Sequence, residues 1–324
     1  MRGASNIKNV LITGVSGYLG TLLLKRIALE AEVEHIVGLD IKEPSFQLPV
    51  FTFIKHDVRQ PFVDIFKNND IDTAIHLAFI VAPLHNEAKA HQINIEGSKH
   101  FLDASLKANV EQIFYMGSNT EYGAHADNPD LFTETSRLNP NTDFPYAFDK
   151  ATVDEMFQDF AKANSNIYVT IGRTAAVTGP CGDSCGLTLL FLPVMVKAMG
   201  KNPFWQFIHE DDLVELVVQL LNGRKRGIYN LTGNGGLTYY QMIKELGKPS
   251  IQLPSLLLYW GTKITWRLRL QSRSQAGGVH LLQFPISLSN EKVKRETGYQ
   301  LHYTGQEAFN VFLKATGNEK PDRK

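Results

Sequence analysis

Short apolar runs rich in β-branched residues recur along the first two-thirds of the chain, and each predicts a buried parallel strand. They are Asn9 to Ile12, Glu34 to Leu39, Phe51 to Lys55, Asp72 to Ala78, Val110 to Met116, Ile167 to Gly172 and Ile228 to Thr232. Between them lie segments of helical periodicity: Thr21 to Leu29, Glu87 to Ala108, a helix carrying Tyr146 to Lys150, and Leu213 to Leu221. Strand alternating with helix predicts an α/β chain with a doubly wound parallel sheet. Neither an internal repeat nor a low-complexity segment interrupts it.

Between the first strand and the first helix stands Thr13-Gly14-Val15-Ser16-Gly17-Tyr18-Leu19-Gly20. A pyrophosphate needs close approach to backbone and the unpaired N–H groups of a helix N-terminus, so glycines belong at such a turn. Gly14, Gly17 and Gly20 supply those places, with the amides of Tyr18 and Leu19 opening the helix. Asp40 ends the second strand, twenty positions after Gly20. A carboxylate there accepts from both adenosine ribose hydroxyls, and together the two features predict dinucleotide binding. A 2'-phosphate would meet like charge at Asp40, so NAD is expected rather than NADP. Asp57 and Val58, after the third strand, suit the adenine, with a plain surface turn as the alternative. Leu77 and Ala78, small and apolar at the end of the fourth strand, would let a cofactor pass over backbone. His76 beside them reads as a structural histidine.

In an open α/β sheet ligands lie beyond the carboxyl ends of the strands, which is where Ser118 falls. Tyr146 and Lys150 are i and i+4 on a helix and share a face. A phenol acidified by a nearby ammonium can take a proton from a substrate alcohol whose oxygen Ser118 also binds.

Composition bounds the partners. The 324 residues carry 33 basic and 33 acidic side chains, so no global field points to nucleic acid. No run of about 20 uncharged apolar residues predicts a membrane span, and no apolar signal region precedes Asn9, so a cytoplasmic protein acting on a small molecule is expected. The spacing of Cys181 and Cys185, the only cysteines, fits neither a redox nor a zinc motif, and no metal is expected. The stretch from Ile251 to Leu270 mixes apolar and aromatic residues with Lys263, Arg267 and Arg269. A helix turning that face to the core is the expected arrangement, and a membrane surface is the alternative.

Taken together, these residues resemble the extended short-chain dehydrogenase/reductases, in particular the NAD-dependent epimerase/dehydratase group similar to UDP-glucose 4-epimerase. The likeness runs through the glycine loop, Asp40, Asp57-Val58, His76-Leu77-Ala78, Asn94 to Gly97, Ser118 with Tyr122-Gly123, Tyr146 and Lys150, Gly179-Pro180 and Ile208 to Asp212. It implies a Rossmann domain over residues 1–178, to which 209–236 return, and a smaller C-terminal substrate domain over 179–324. It also implies a tetrad of Asn94, Ser118, Tyr146 and Lys150. Lys150 would hold the nicotinamide ribose, and Asn94 would support Lys150 through a water and helix backbone. A homodimer joined by two bundled helices would be typical.

Departures from the group narrow the chemistry. Where dehydratases carry Asp-Glu after the serine, this chain has Asn119-Thr120, which disfavours dehydration. Ala176 and Trp205 replace an asparagine and an arginine that hold sugar-nucleotide phosphates. Thr120, Phe191 and Trp205 join Ser118 as expected substrate-pocket residues, with packing between domains the alternative for the aromatic pair. Epimerisation at a secondary alcohol of a sugar is the leading expectation. The alternatives are a dehydrogenase or reductase of an apolar alcohol or ketone, similar to hydroxysteroid dehydrogenases, and a non-catalytic dinucleotide sensor.

Overall fold

A computed structural model describes residues 7–180, 187 and 190–317; Cys181 and Cys185 lie outside the described residues. Among the described residues, seven parallel strands form the central sheet. They are β1 (Asn9–Thr13), β2 (His35–Asp40), β3 (Phe51–Lys55), β4 (Thr73–His76), β5 (Gln112–Ser118), β6 (Tyr168–Thr174) and, after four short strands, β11 (Gly227–Leu231). Their spatial order is β11-β6-β5-β4-β1-β2-β3, so the chain steps outward from β1, reverses, and steps outward again from β4. The crevice beyond the carboxyl ends of β1 and β4 is therefore the topological switch point.

Side-chain alternation along the strands feeds two cores. Val10 and Ile12 of β1 face α1 (Tyr18–Ile27) and α5 (Glu210–Asn222), whereas Leu11 faces the side of α2 (Val63–Asn68), α3 (Glu87–Lys107) and α4 (Pro145–Ala163). Helix α1 begins three residues before its apolar pattern does. Gly17 is extended and has no side-chain cap, and its carbonyl accepts the first helical bond from Thr21, which places Gly20 in the opening turn.

The remaining short strands pair in twos: β7 (Ala176–Thr178) with β10 (Phe207–His209), β8 (Met195–Ala198) with β13 (Ser250–Leu253), and β9 (Phe204–Trp205) with β12 (Leu237–Thr238). They surround a third core in which Met195, Phe207 and Tyr239 meet α6 (Tyr239–Leu246) and α9 (Gly305–Ala315). Helix α8 (Glu291–Thr297) returns to the sheet, where Val293 joins the core beside α5.

Helix α7 (Ser255–Arg267) departs from the expectation of a core-facing helix. Leu258 is its only buried residue, and Leu256, Leu257, Trp260 and Ile264 are exposed. The core it leans on is small, formed with Ala198 and Val279, and leaves the opposite apolar stripe uncovered by the described residues.

Candidate functional site

The glycine loop joins β1 to α1 at the switch point. Gly14 has a positive φ of 72°, and a Cβ there would lie 2.8 Å from the Ala78 amide nitrogen, so this residue lets the loop press on the end of β4. A Cβ on Gly20 would lie 2.2 Å from the Gly14 carbonyl oxygen, whereas one on Gly17 would stand 3.2 Å from the same atom. Gly14 and Gly20 are thus required by chain packing itself. Gly17 is the one that opens the helix terminus.

The Asp40 carboxylate sits behind the loop, accepting from the Ser16 amide and the Lys42 amide, each at 3.1 Å. Asp57 is clasped by Arg59, whose Nε and terminal nitrogen donate to both carboxylate oxygens, and this contact holds the carboxyl below its ordinary value. Val58 packs its side chain where a Cβ on Gly97 would come within 2.6 Å of it, so α3 needs a glycine there. Tyr18 donates from its hydroxyl to Glu210 at the start of α5, and Leu19 packs on the α1 core.

A relay of hydroxyls and one imidazole runs from this loop to α3. Thr13 Oγ1 lies 2.8 Å from His76 Nδ1, His76 Nε2 lies 3.0 Å from Ser98 Oγ, and Ser98 Oγ donates to the Asn94 carbonyl at 2.6 Å. Thr13 Oγ1 also accepts from the amides of Leu77 and Ala78, which fixes the chain leaving β4. Because Ser98 donates to Asn94, it accepts from Nε2–H, and Nδ1 accepts from Thr13. Burial lowers the imidazole to about 3 and keeps it neutral, so His76 is structural.

The side chain of Asn94 bridges the chain leaving β4 and helix α4. Its Oδ1 accepts from the Ile80 amide at 2.8 Å, and its Nδ2 donates to Asp149 at 2.9 Å. His91 reaches the other oxygen of Asp149 at 2.6 Å. Asp149 is buried between Tyr146 and Lys150 on α4, and sequence reasoning missed it. The only signal was the i, i+3 spacing of His91 and Asn94 on α3 opposite an acid.

Lys150 donates to the Met116 carbonyl at 2.6 Å and lies under the Phe79 ring, 3.8 Å from its centroid. Burial lowers the ammonium to about 8, while Glu121 and Asp154 pull the other way. Tyr146 packs edge-on against Phe79 with centroids 5.9 Å apart, and lines a cleft with Asn94, Asp149 and residues 80–84. Phe79 therefore touches both members of the Tyr–Lys pair, a contact between segments far apart in the chain.

Ser118 ends β5 and caps the 3-10 turn of Asn119–Tyr122. Its hydroxyl lies 2.9 Å from that of Thr120 and accepts from the Thr120 amide, while Glu121 reaches back to accept from the Ser118 amide at 2.7 Å. Glu121 is wholly buried beside Asp154, and burial foremost pushes its carboxyl well above the ordinary value. Arg173 binds Asp154 through two nitrogens at 2.9 and 2.8 Å, lies 3.3 Å from Glu121, and donates to Tyr122. The rings of Phe191 and Trp205 meet Phe312 and Tyr239 at the third core.

A model of the NAD dependent epimerase/dehydratase family matches residues 10–232. An uncharacterised protein of Mycobacterium tuberculosis is 24% identical over 318 residues, covering 96% of this chain and 84% of that protein. A UDP-glucose 4-epimerase of Yersinia enterocolitica is 27% identical over 279 residues, covering 73% and 81%. Among solved structures, the dTDP-glucose 4,6-dehydratase DesIV of Streptomyces venezuelae, crystallised with NAD, superposes with a TM-score of 0.74 at 18% identity over 95% of this chain and 97% of its own. That likeness is one of fold.

Proposed function

The chain belongs to the NAD-dependent epimerase/dehydratase family, and from that premise we propose that it is a cytoplasmic enzyme using NAD to move a hydride at a secondary alcohol, with a sugar-related substrate. One observation carries the reading. The 2.6 Å bond from Lys150 to the Met116 carbonyl ties the helix bearing Tyr146 to the strand end bearing Ser118. That bond supports the reading that phenol, ammonium and serine hydroxyl act together beyond the carboxyl ends of the strands.

The residues present fit the cofactor. The uncapped start of α1 offers its first amides to a pyrophosphate, with Gly17, Tyr18 and Leu19 at the contact. The Asp40 carboxylate, each oxygen of which accepts one amide, would use its remaining lone pairs for a ribose, Asp57 and Val58 would flank the adenine, and Leu77 and Ala78 would let the cofactor pass over backbone. NAD, when bound, supplies the acceptor and donor of the hydride. Tyr146 takes the hydroxyl proton of the substrate, and Ser118 with Thr120 holds the oxygen as its bond to carbon becomes double. Lys150 carries its charge on the same face of α4 as the phenol, and Asn94, reaching from α3, braces Asp149 between them. In an epimerase the same tyrosine would return the proton to the substrate oxygen. The third core and its neighbours, the described residues of 179–317 apart from 209–236 and α8, would form the substrate side.

A second reading, net oxidation or reduction of an apolar alcohol or ketone, is favoured by Ala176 and Trp205. An indole and a methyl group cannot make the charge-assisted bonds a sugar nucleotide's phosphates need. The decisive experiment replaces Tyr146 by Phe. NAD should still raise the melting temperature while turnover vanishes, and undiminished turnover would refute the assignment. Wild-type enzyme incubated with NAD and nucleotide sugars, then with apolar alcohols, separates the readings. Interconverted epimers with NAD unconsumed support the first, and stoichiometric NADH supports the second. We further propose a homodimer through α3 and α4, on which Leu106 and Phe148 are exposed; a monomer in sedimentation equilibrium would remove it.

A further inference from the structure

Helix α7 lies outside everything the proposed reaction uses. Its outer face carries Leu256, Leu257, Trp260 and Ile264, followed past its end by Leu268 and Leu270, each between 49% and 71% exposed. Positions 257, 260, 264 and 268 follow one another at helical spacing, so they form a single stripe. The same face presents the exposed cations Lys263 and Arg267, with Arg269 beyond, and the Lys263 ammonium lies 4.8 Å over the ring of Trp260. From Leu246 to Asn290 the sequence holds five Lys or Arg and no Asp or Glu. In a chain whose charges balance overall, that is a local segregation of positive charge.

We infer that α7 docks this protein on an anionic phospholipid surface, with its apolar stripe sunk among the acyl chains and its cations among the headgroups. Each part of the pattern matches that partner. Contiguous exposed apolar residues mark an interaction face, and an aromatic ring beside a lysine suits the boundary between hydrocarbon and headgroups. At about 1.5 Å per residue the helix is too short to cross a bilayer of roughly 30 Å. Indeed, no helix among the described residues is long and apolar enough to do so. A second copy fits worse. Symmetric pairing sets a patch against itself, which would face Lys263, Arg267 and Arg269 with the same cations and no acid from 246–290 to meet them.

Docking would also fix the orientation of the cleft. Trp266, on the inner side of α7, stacks on His85 with centroids 4.0 Å apart, and His85 follows directly on the 80–84 segment that lines the cleft with Tyr146. The face that meets lipid is thus one ring contact away from that segment. The docking itself does not depend on which reaction the cleft performs.

The full chain is to be sedimented with vesicles of phosphatidylcholine alone and of phosphatidylcholine mixed with phosphatidylserine. Binding should favour the anionic vesicles by on the order of tenfold and weaken as salt is raised. Tryptophan emission should shift to the blue on binding, and Trp260→Phe should remove most of that shift. The triple variant Leu257→Ser, Trp260→Ser, Ile264→Ser and the pair Lys263→Glu, Arg267→Glu should each abolish sedimentation. Because all five positions are exposed, both variants should retain the wild-type melting transition and its response to NAD. Absence of binding to either vesicle would overturn the inference, as would binding that both variants leave intact. So would a wild-type dimer that the triple variant converts to monomer without any lipid association.

Discussion

Lys150 shows how much a single buried charge is made to bear. Taking its ammonium from 10.5 to about 8 corresponds to about 3 kcal/mol of unfavourable burial at neutral pH. Between those values the unfolded chain keeps a proton that the folded chain has released, so stability rises with pH across the window. Lys150→Met should flatten that rise, which denaturant midpoints near pH 8 and about pH 10 would reveal. Phe79 contributes to the burial, and Phe79→Ala should move the window upward as water reaches the ammonium. Glu121 presents the opposite case. Its carboxyl is raised by burial and by Asp154, so its contribution is fully present at low pH and is lost as pH climbs through the folded value. Glu121→Gln keeps an acceptor for the Ser118 amide and carries no charge. It should match wild type within about 1 kcal/mol near pH 4 and gain on it as pH rises, because it removes this loss. Glu121→Ala, which orphans the Ser118 amide, should cost about 2 to 3 kcal/mol in the same titration.

At the scale of elements, strand, loop and helix are joined by glycines that do different things. Gly20→Ala forces a methyl group to 2.2 Å from the Gly14 carbonyl, so α1 must lift off β1 and the fold should lose more than about 2 kcal/mol. Gly17→Ala meets the same oxygen at 3.2 Å and should melt close to wild type, yet NAD should no longer raise its melting temperature. Equal destabilisation of the two variants would contradict this division. These elements were readable in the sequence because β-branched runs and glycine turns are local signals. The frame of β1, β2, β4 and β5, the place of Asp40 and the position of Ser118 all follow from them. What could not be read depends on partners distant in the chain. Asp149 looks like any acid on a helix until α3 brings His91 and Asn94 to it. Glu121 and Asp154 look like surface residues until Arg173 is found between them. The stripe on α7 has the periodicity of a packed helix, and periodicity does not say whether protein or solvent lies on the apolar side.

Across the whole molecule, Arg173 is the knot between layers. From β6 it grips Asp154 on α4 and donates to Tyr122, whose hydroxyl donates to Asn230 of β11 at 2.9 Å or to the Thr133 carbonyl. One guanidinium thus joins two strands, a covering helix and the turn that carries Ser118. Asp154 and Arg173 form the closest ion pair of this cluster, at 2.8 Å. Arg173→Met should leave Asp154 buried without its partner and cost about 3 to 5 kcal/mol. Adding Asp154→Leu should recover much of that loss, because two apolar side chains need no compensation in a dry interior. If the double variant regains stability but not turnover, the ion pair serves chiefly to hold the Ser118 turn against α4. If both return together, apolar packing alone aligns the two edges of the cleft. Denaturant unfolding and turnover measured on the same three proteins decide between these outcomes. The difference matters because Glu121, 3.3 Å from Arg173, links this cluster to the Ser118 amide at the proposed site of hydride transfer.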